Sequence, residues 1–210
     1  MKKIINYLKE ELKKEKNLII LILAIFIIGL VVGSLFVNFI TKDDKTLLIN
    51  QVETYFSSVK TLDKKVFGIN AFTPNLINNE LQIFLIFALG LSILGIPVVI
   101  LIMFFKGFML GVTLATFILK YQLLGVLSSL LYIFPCFIIY IIIYTLISFF
   151  AVSTSLKFLK AIIKKDNLSF KKFLGKYLLC FLICLVLIII NTLLDAFLTP
   201  ILLKLFTYII

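Results

Sequence analysis

Histidine, arginine and tryptophan are absent from this 210-residue chain, and it holds only nine glycines, four prolines and three cysteines. Without histidine there is no Ser-His-Asp or Cys-His nucleophile system and no histidine-ligated metal. The three cysteines, Cys136, Cys180 and Cys184, all lie in apolar runs. Cys180 and Cys184 share one helical face, but thiolates in an apolar setting are costly and no further ligands lie near them, so they read as structural. No P-loop, dinucleotide fingerprint or metal signature occurs. The chain therefore reads as a protein that is not an enzyme and carries no cofactor or metal.

What remains is apolar: 62% of the residues are hydrophobic and the mean hydropathy is +1.20. Uninterrupted apolar runs of about 18 residues or more read as transmembrane helices. Such helices satisfy their backbone hydrogen bonds internally. The expected fold is all-α, a polytopic membrane bundle of about five spans with an extracytoplasmic helix between spans one and two. The first span is read at 18–40. It is too long for the roughly 7–15-residue core of a secretory signal, so it is expected to stay as a signal anchor. The second is read at 81–105, a short third at 107–121, the fourth at 124–150 and the fifth from 177 to about 198. Residues 81–152 form a glycine-rich unit of spans two to four, and 177–210 hold the fifth span and an outer C-terminus.

Every basic residue is lysine, and the lysines orient the bundle. Residues 1–17 hold six and residues 153–176 hold seven, whereas residues 41–80 hold five lysines against five acids. The first two segments are expected in the cytoplasm, the third outside. Both basic segments are amphipathic, with Ile5, Leu8 and Leu12 on one face and Phe158, Ile162 and Ile163 on the other segment's, so they suit an anionic lipid surface. Lysines that flank spans follow the orientation rule and do not point to nucleic acid. Lys106 falls between spans two and three, where it reads as a cytoplasmic turn residue snorkelling to water.

Residues 41–80 contain a heptad seam: Leu48, Val52, Tyr55, Val59, Leu62 and Val66. Asp43 and Asp44 before it, and Lys64 and Lys65 after it, suit a helix dipole, and Gly68 follows as a stop signal. One outer helix of about 20 residues is predicted. Its apolar stripe packs on the protein's own outer surface, lies in the bilayer interface, or contacts a partner, with Tyr55 the natural anchor. Gly29 and Gly33, and Gly107 and Gly111, form two G-x-x-x-G patterns, which serve close helix packing inside one chain or in a homodimer. Gly90 and Gly95 suit tight packing, and Pro97 is expected to kink the second span. Asp195 is the one acid inside a predicted span; Glu80 borders another.

The stretch from Asn78 to Gly111, NNELQIFLIFALGLSILGIPVVILIMFFKGFMLG, resembles the stage II sporulation protein M family. The features that carry the resemblance are the pair Asn78 and Asn79, the GIP of residues 95–97, and the aromatic-Lys-Gly-aromatic turn of Lys106, Gly107 and Phe108. The layout is similar too, with a basic start, an outer loop after one span, and a proline (Pro135) in the fourth. The resemblance implies a scaffold in the mother-cell and septal membrane during forespore engulfment. That scaffold anchors two cell-wall hydrolases, stage II sporulation proteins D (a lytic transglycosylase) and P (an amidase). Related membrane proteins occur in bacteria that do not sporulate, some beside ABC transporters, so a permease-like subunit is the alternative. A transporter is expected to show an internal repeat and midplane polar groups. Its helix interruptions concentrate between Gly90 and Gly111, plus Pro135, with no second copy of that stretch, and its midplane reads as poor in charge.

Overall fold

The computed structural model describes residues 12–13, 15–63, 66–133, 136–164 and 170–207. The amphipathic segment around Ile5 and Leu8, the Lys64 and Lys65 pair and Pro135 lie outside these residues. Six helices and no strand occur among the described residues: α1 (Lys16–Phe39), α2 (Lys42–Thr61), α3 (Ile69–Gly90), α4 (Gly95–Ile133), α5 (Cys136–Lys164) and α6 (Phe170–Thr207). Four of them, α1, α4, α5 and α6, are long and apolar enough to cross a membrane.

The bundle is organised by the crossing of α1 with α4. Gly29 and Gly33 leave no room for a side chain: a Cβ on Gly29 would run into the backbone of Phe104, and one on Gly33 into that of Phe108. From the other side, a Cβ on Gly107 would meet the backbone of Phe26, and one on Gly111 that of Leu30. The two G-x-x-x-G patterns are thus each other's partners within one chain, and backbone lies on backbone. Each is occupied by the other, so a second copy of the chain would need another surface. Ring packing of Phe36 on Phe108, at 5.3 Å, borders the crossing.

Helix α3 has 22 residues, about 33 Å at 1.5 Å per residue, roughly a hydrocarbon core in length. It runs antiparallel to α6 along its length and parallel to α5 from Asn79 onward. Near one end the Gly68 amide bonds the Ala196 carbonyl, and in the middle Asn79 bonds Thr192. At the other end Tyr177 donates to the Phe87 carbonyl, and Ser155 to the carbonyls of Gly90 and Ser92. Its polar residues, four asparagines among them, keep its hydropathy low.

The break between α3 and α4 falls at residues 91–94, not at Lys106 as the charge suggested. Turn hydrogen bonds hold it, from Ser92 N to the Leu89 carbonyl and from Gly95 N to the Ser92 carbonyl. Gly95 is required because a Cβ there would overlap Leu89, and Gly90 because one would meet Ala151 and the Tyr177 hydroxyl. Pro97 stands in the first turn of α4, where its missing amide costs nothing, so it does not kink a span. Lys106 and Gly107 therefore sit inside a continuous helix.

Helix α4 doubles back at Gln122, whose φ of 50° and ψ of −124° are non-helical. Gly125 abuts the backbone of Phe117 and Ile118, and the Phe117 and Tyr132 rings lie 5.5 Å apart. Residues 15 apart in a straight helix would be about 22 Å apart. A positive φ strains a side-chain-bearing residue. Gln122→Gly is expected to raise thermal stability in detergent by about 1 kcal/mol, while Gln122→Val lowers it; equal melting of both variants would contradict the strain.

Helix α2 is 20 residues long and capped at Thr41, whose hydroxyl accepts from the Asp44 amide at 3.2 Å. Its apolar stripe faces the bundle. Val52, Phe56 and Val59 are buried with Phe117 and Leu203, and Tyr55, Val66 and Tyr121 pack around them. Phe56 sits 5.4 Å from the Phe117 ring and 5.3 Å from that of Tyr121. Lys120 pairs with Glu53 beside it. As placed, Val52 and Val59 offer no partner-contact surface, Leu48 and Tyr55 line a small cavity against α4, and Leu62 serves as a left-handed helix cap. The physical reason is that Phe117, beside the reversal of α4, and Leu203, near the end of α6, would otherwise be uncovered.

Candidate functional site: a polar cleft at mid-span

Lys106 is level with the middle of α1, because its neighbour Gly107 packs on Phe26 within a helix running from Lys16 to Phe39. It is also 11 residues, about 16 Å, along α4 from the turn at Gly95. That is half of a hydrocarbon core of about 30 Å. An ionisable group at this depth is a functional hypothesis by default.

The lysine is held by aromatic rings and carboxamides. Its Nζ donates to the Tyr140 hydroxyl at 2.6 Å and lies 5.1 Å and 4.7 Å from the ring centres of Tyr140 and Tyr144, cation–π contacts. Tyr140 in turn donates to Asn79 Oδ1 at 3.1 Å, and Asn79 Nδ2 donates to Thr192 Oγ1 at 3.1 Å. Tyr144 donates to Gln82 Oε1 at 2.9 Å. One chain of hydrogen bonds thus ties α3, α4, α5 and α6 together at mid-span. Each link leaves few polar atoms without a partner in a setting where that is expensive.

The network floors a cleft of about 360 Å³. Asn75, Asn78, Thr113, Tyr132, Asn191 and Asp195 line its walls. The cleft extends from Lys106 toward the α2 end: Asn75, Thr113 and Asp195 each lie about one or two turns beyond the level of Asn79, Lys106 and Thr192. Asp195 accepts from the Thr199 hydroxyl at 2.6 Å. Asn191 is 3% exposed, and its Oδ1 has no hydrogen-bond partner among the described residues. This explains α3: three of its four asparagines, Asn75, Asn78 and Asn79, line the cleft, and its low hydropathy follows.

Of the residues that the sequence singled out, Asn79 and Lys106 meet through Tyr140, and Asn78 and Asp195 line the same cleft. Phe108 belongs instead to the α1 crossing. Gln82, Tyr140, Tyr144, Asn191 and Thr192 escaped the sequence reading. The signal was there in the Tyr140 and Tyr144 pair, one turn apart, and in Asn191 and Thr192 interrupting a run of isoleucine and leucine. A midplane poor in charge is not what the fold presents.

No curated protein and no solved structure matches the chain. The family model described as stage II sporulation protein M matches residues 22–200, which takes in the α1–α4 crossing, α2 and every residue of the cleft. The chain belongs to the stage II sporulation protein M family.

Proposed function

We propose that this sporulation membrane protein is a non-enzymatic scaffold that holds peptidoglycan hydrolases, the family's transglycosylase (protein D) and amidase (protein P), at the engulfing mother-cell membrane. The observation that supports this reading is the rigid fixing of α2. Its buried stripe locks it to α4 and α6, while Asn50, Thr54 and Ser57 stay exposed on the opposite side. A helix held at fixed height and angle above a backbone-packed bundle suits a docking platform. The lysine asymmetry supports an orientation with this platform on the wall side and residues 153–176 in the cytoplasm.

The polar face, rather than the apolar seam, is then the docking surface. Thr54→Arg with Ser57→Arg is expected to cut recovery of both hydrolases with the tagged protein from sporulating cells by about tenfold at matched membrane levels, as for loss of a few central contacts. Undiminished recovery would remove α2 as the platform. The permease-like alternative gains one observation of its own, the polar cleft around Lys106. Its test is uptake of a candidate solute, which the scaffold reading expects to be unaffected by deletion.

A further inference from the structure

Two cavities converge on Lys106. One is the polar cleft leading toward the α2 end. The other is a groove of about 370 Å³ on the flank of α3 and α4, lined by Gln82, Leu85, Ile102, Phe105, Lys106 and Met109. Leu85, Phe105 and Met109 are exposed there, so the groove opens sideways to hydrocarbon. Gln82, Leu85, Ile102 and Phe105 lie on the Gly90–Gly95 side of Lys106, away from the cleft, and Met109 borders both cavities. Three chemical zones therefore follow one another along the bundle. Next to the lipid is an apolar groove, then an ammonium at mid-span, then carboxamides and the Asp195 carboxylate.

The ammonium and the carboxylate do not pair with each other. The ion pair found among the described residues is Lys120 with Glu53. Lys106 spends one hydrogen bond on Tyr140 and can donate two more. Asn191 Oδ1, buried and unpartnered, asks for a donor. A buried charge without a counter-charge is costly, and a ligand that supplies one recovers that cost. The order of the zones specifies the ligand: hydrocarbon, then an anion, then an N–H-bearing cation.

We propose that the cleft binds a zwitterionic amphiphile of the aminoalkyl phosphate class. Its chain lies in the groove beside Leu85 and Phe105. Its phosphate meets Lys106. Its ammonium reaches Asn191 Oδ1 and Asp195. The cleft volume lies within the range of small-molecule sites, about 300–1,000 Å³. This goes beyond hydrolase anchoring and does not depend on it.

The test uses the purified full chain in a neutral maltoside detergent, with a thiol-reactive dye reporting unfolding through the buried Cys180 and Cys184. Four probes are titrated: single-chain lysophosphatidylethanolamine, its choline analogue, lysophosphatidic acid, and chain-free phosphoethanolamine. The ethanolamine lipid is expected to raise the melting temperature saturably. The choline lipid, which lacks N–H donors, and the acid, which lacks the cation, are expected to bind about tenfold more weakly, and phosphoethanolamine weaker still. Lys106→Met should weaken the ethanolamine lipid about tenfold or more, as for loss of a charged hydrogen bond. Asp195→Asn should shrink the preference for ethanolamine over choline, with Asn191 Oδ1 still accepting from the ammonium. Equal shifts by all three lipids, or a Lys106→Met response like wild type, overturn the proposal, and an equal shift by phosphoethanolamine overturns the groove's part in it. If the variants do not fold, the wild-type ranking of the four probes still decides.

Discussion

Gly107→Leu is expected to abolish the folded bundle, with a cost above about 3 kcal/mol, the upper end of overpacking effects. The position faces backbone, not a flexible side chain. A Cβ alone would press on the Phe26 carbonyl, and Leu30 N lies 3.0 Å from it. The two helices must then separate over their whole contact, because Gly29, Gly33 and Gly111 are matched to the same spacing. Gly29→Leu is expected to do the same from the other side. Gly175→Leu is the control, since nothing lies within 4 Å of a Cβ there. The comparison is membrane yield and protease resistance of the three variants; equal values would mean that the crossing does not organise the fold.

Asn79→Leu is the second large effect. The carboxamide accepts from Tyr140 and donates to Thr192, so its loss strands two hydroxyls and loosens the hold on Lys106. Each stranded buried group costs about 1–3 kcal/mol. A drop of about 3 kcal/mol or more in stability in detergent is expected. Asn78→Leu, one residue away but exposed at the cleft rim, should change little. A double variant, Asn79→Leu with Tyr140→Phe, should recover part of the loss, because it removes one stranded group along with its partner. Additive losses in the double variant would mean that the two side chains act separately.

The sequence disclosed these features unevenly, for physical reasons. α2 was legible because capping residues and a stripe at helical spacing are local signals: the expected 20-residue outer helix is Lys42–Thr61. Which of its residues bury deepest was less so. A strict seam picks Tyr55, whereas Phe56, beside it, is the residue that inserts between Phe117 and Tyr121. The turn at 91–94 was hidden because Leu91, Ser92, Ile93 and Leu94 read as span, while Lys106 mimicked a surface residue. A lysine reads alike whether water or a tyrosine cage receives it. The reversal at Gln122 carries neither glycine nor proline at the turning residue, yet it falls in the gap expected between the spans at 107–121 and 124–150. The cleft could not be seen as a unit because its residues come from four helices, each of which supplies only a few of them.

Lys106 lies at mid-span rather than at a turn. Single cysteines at position 57, 92 or 106, in a background with Cys136, Cys180 and Cys184 replaced by alanine, test this with a membrane-impermeant maleimide applied from each side. Ser92→Cys is expected to label from the side of the Lys16 end of α1, and Ser57→Cys from the opposite side. Lys106→Cys is expected to resist label from the Lys16 side and to react, slowly, only from the side of α2, through the cleft. Labelling of Lys106→Cys from the Lys16 side as fast as that of Ser92→Cys would return the lysine to a surface turn and remove the cleft with it.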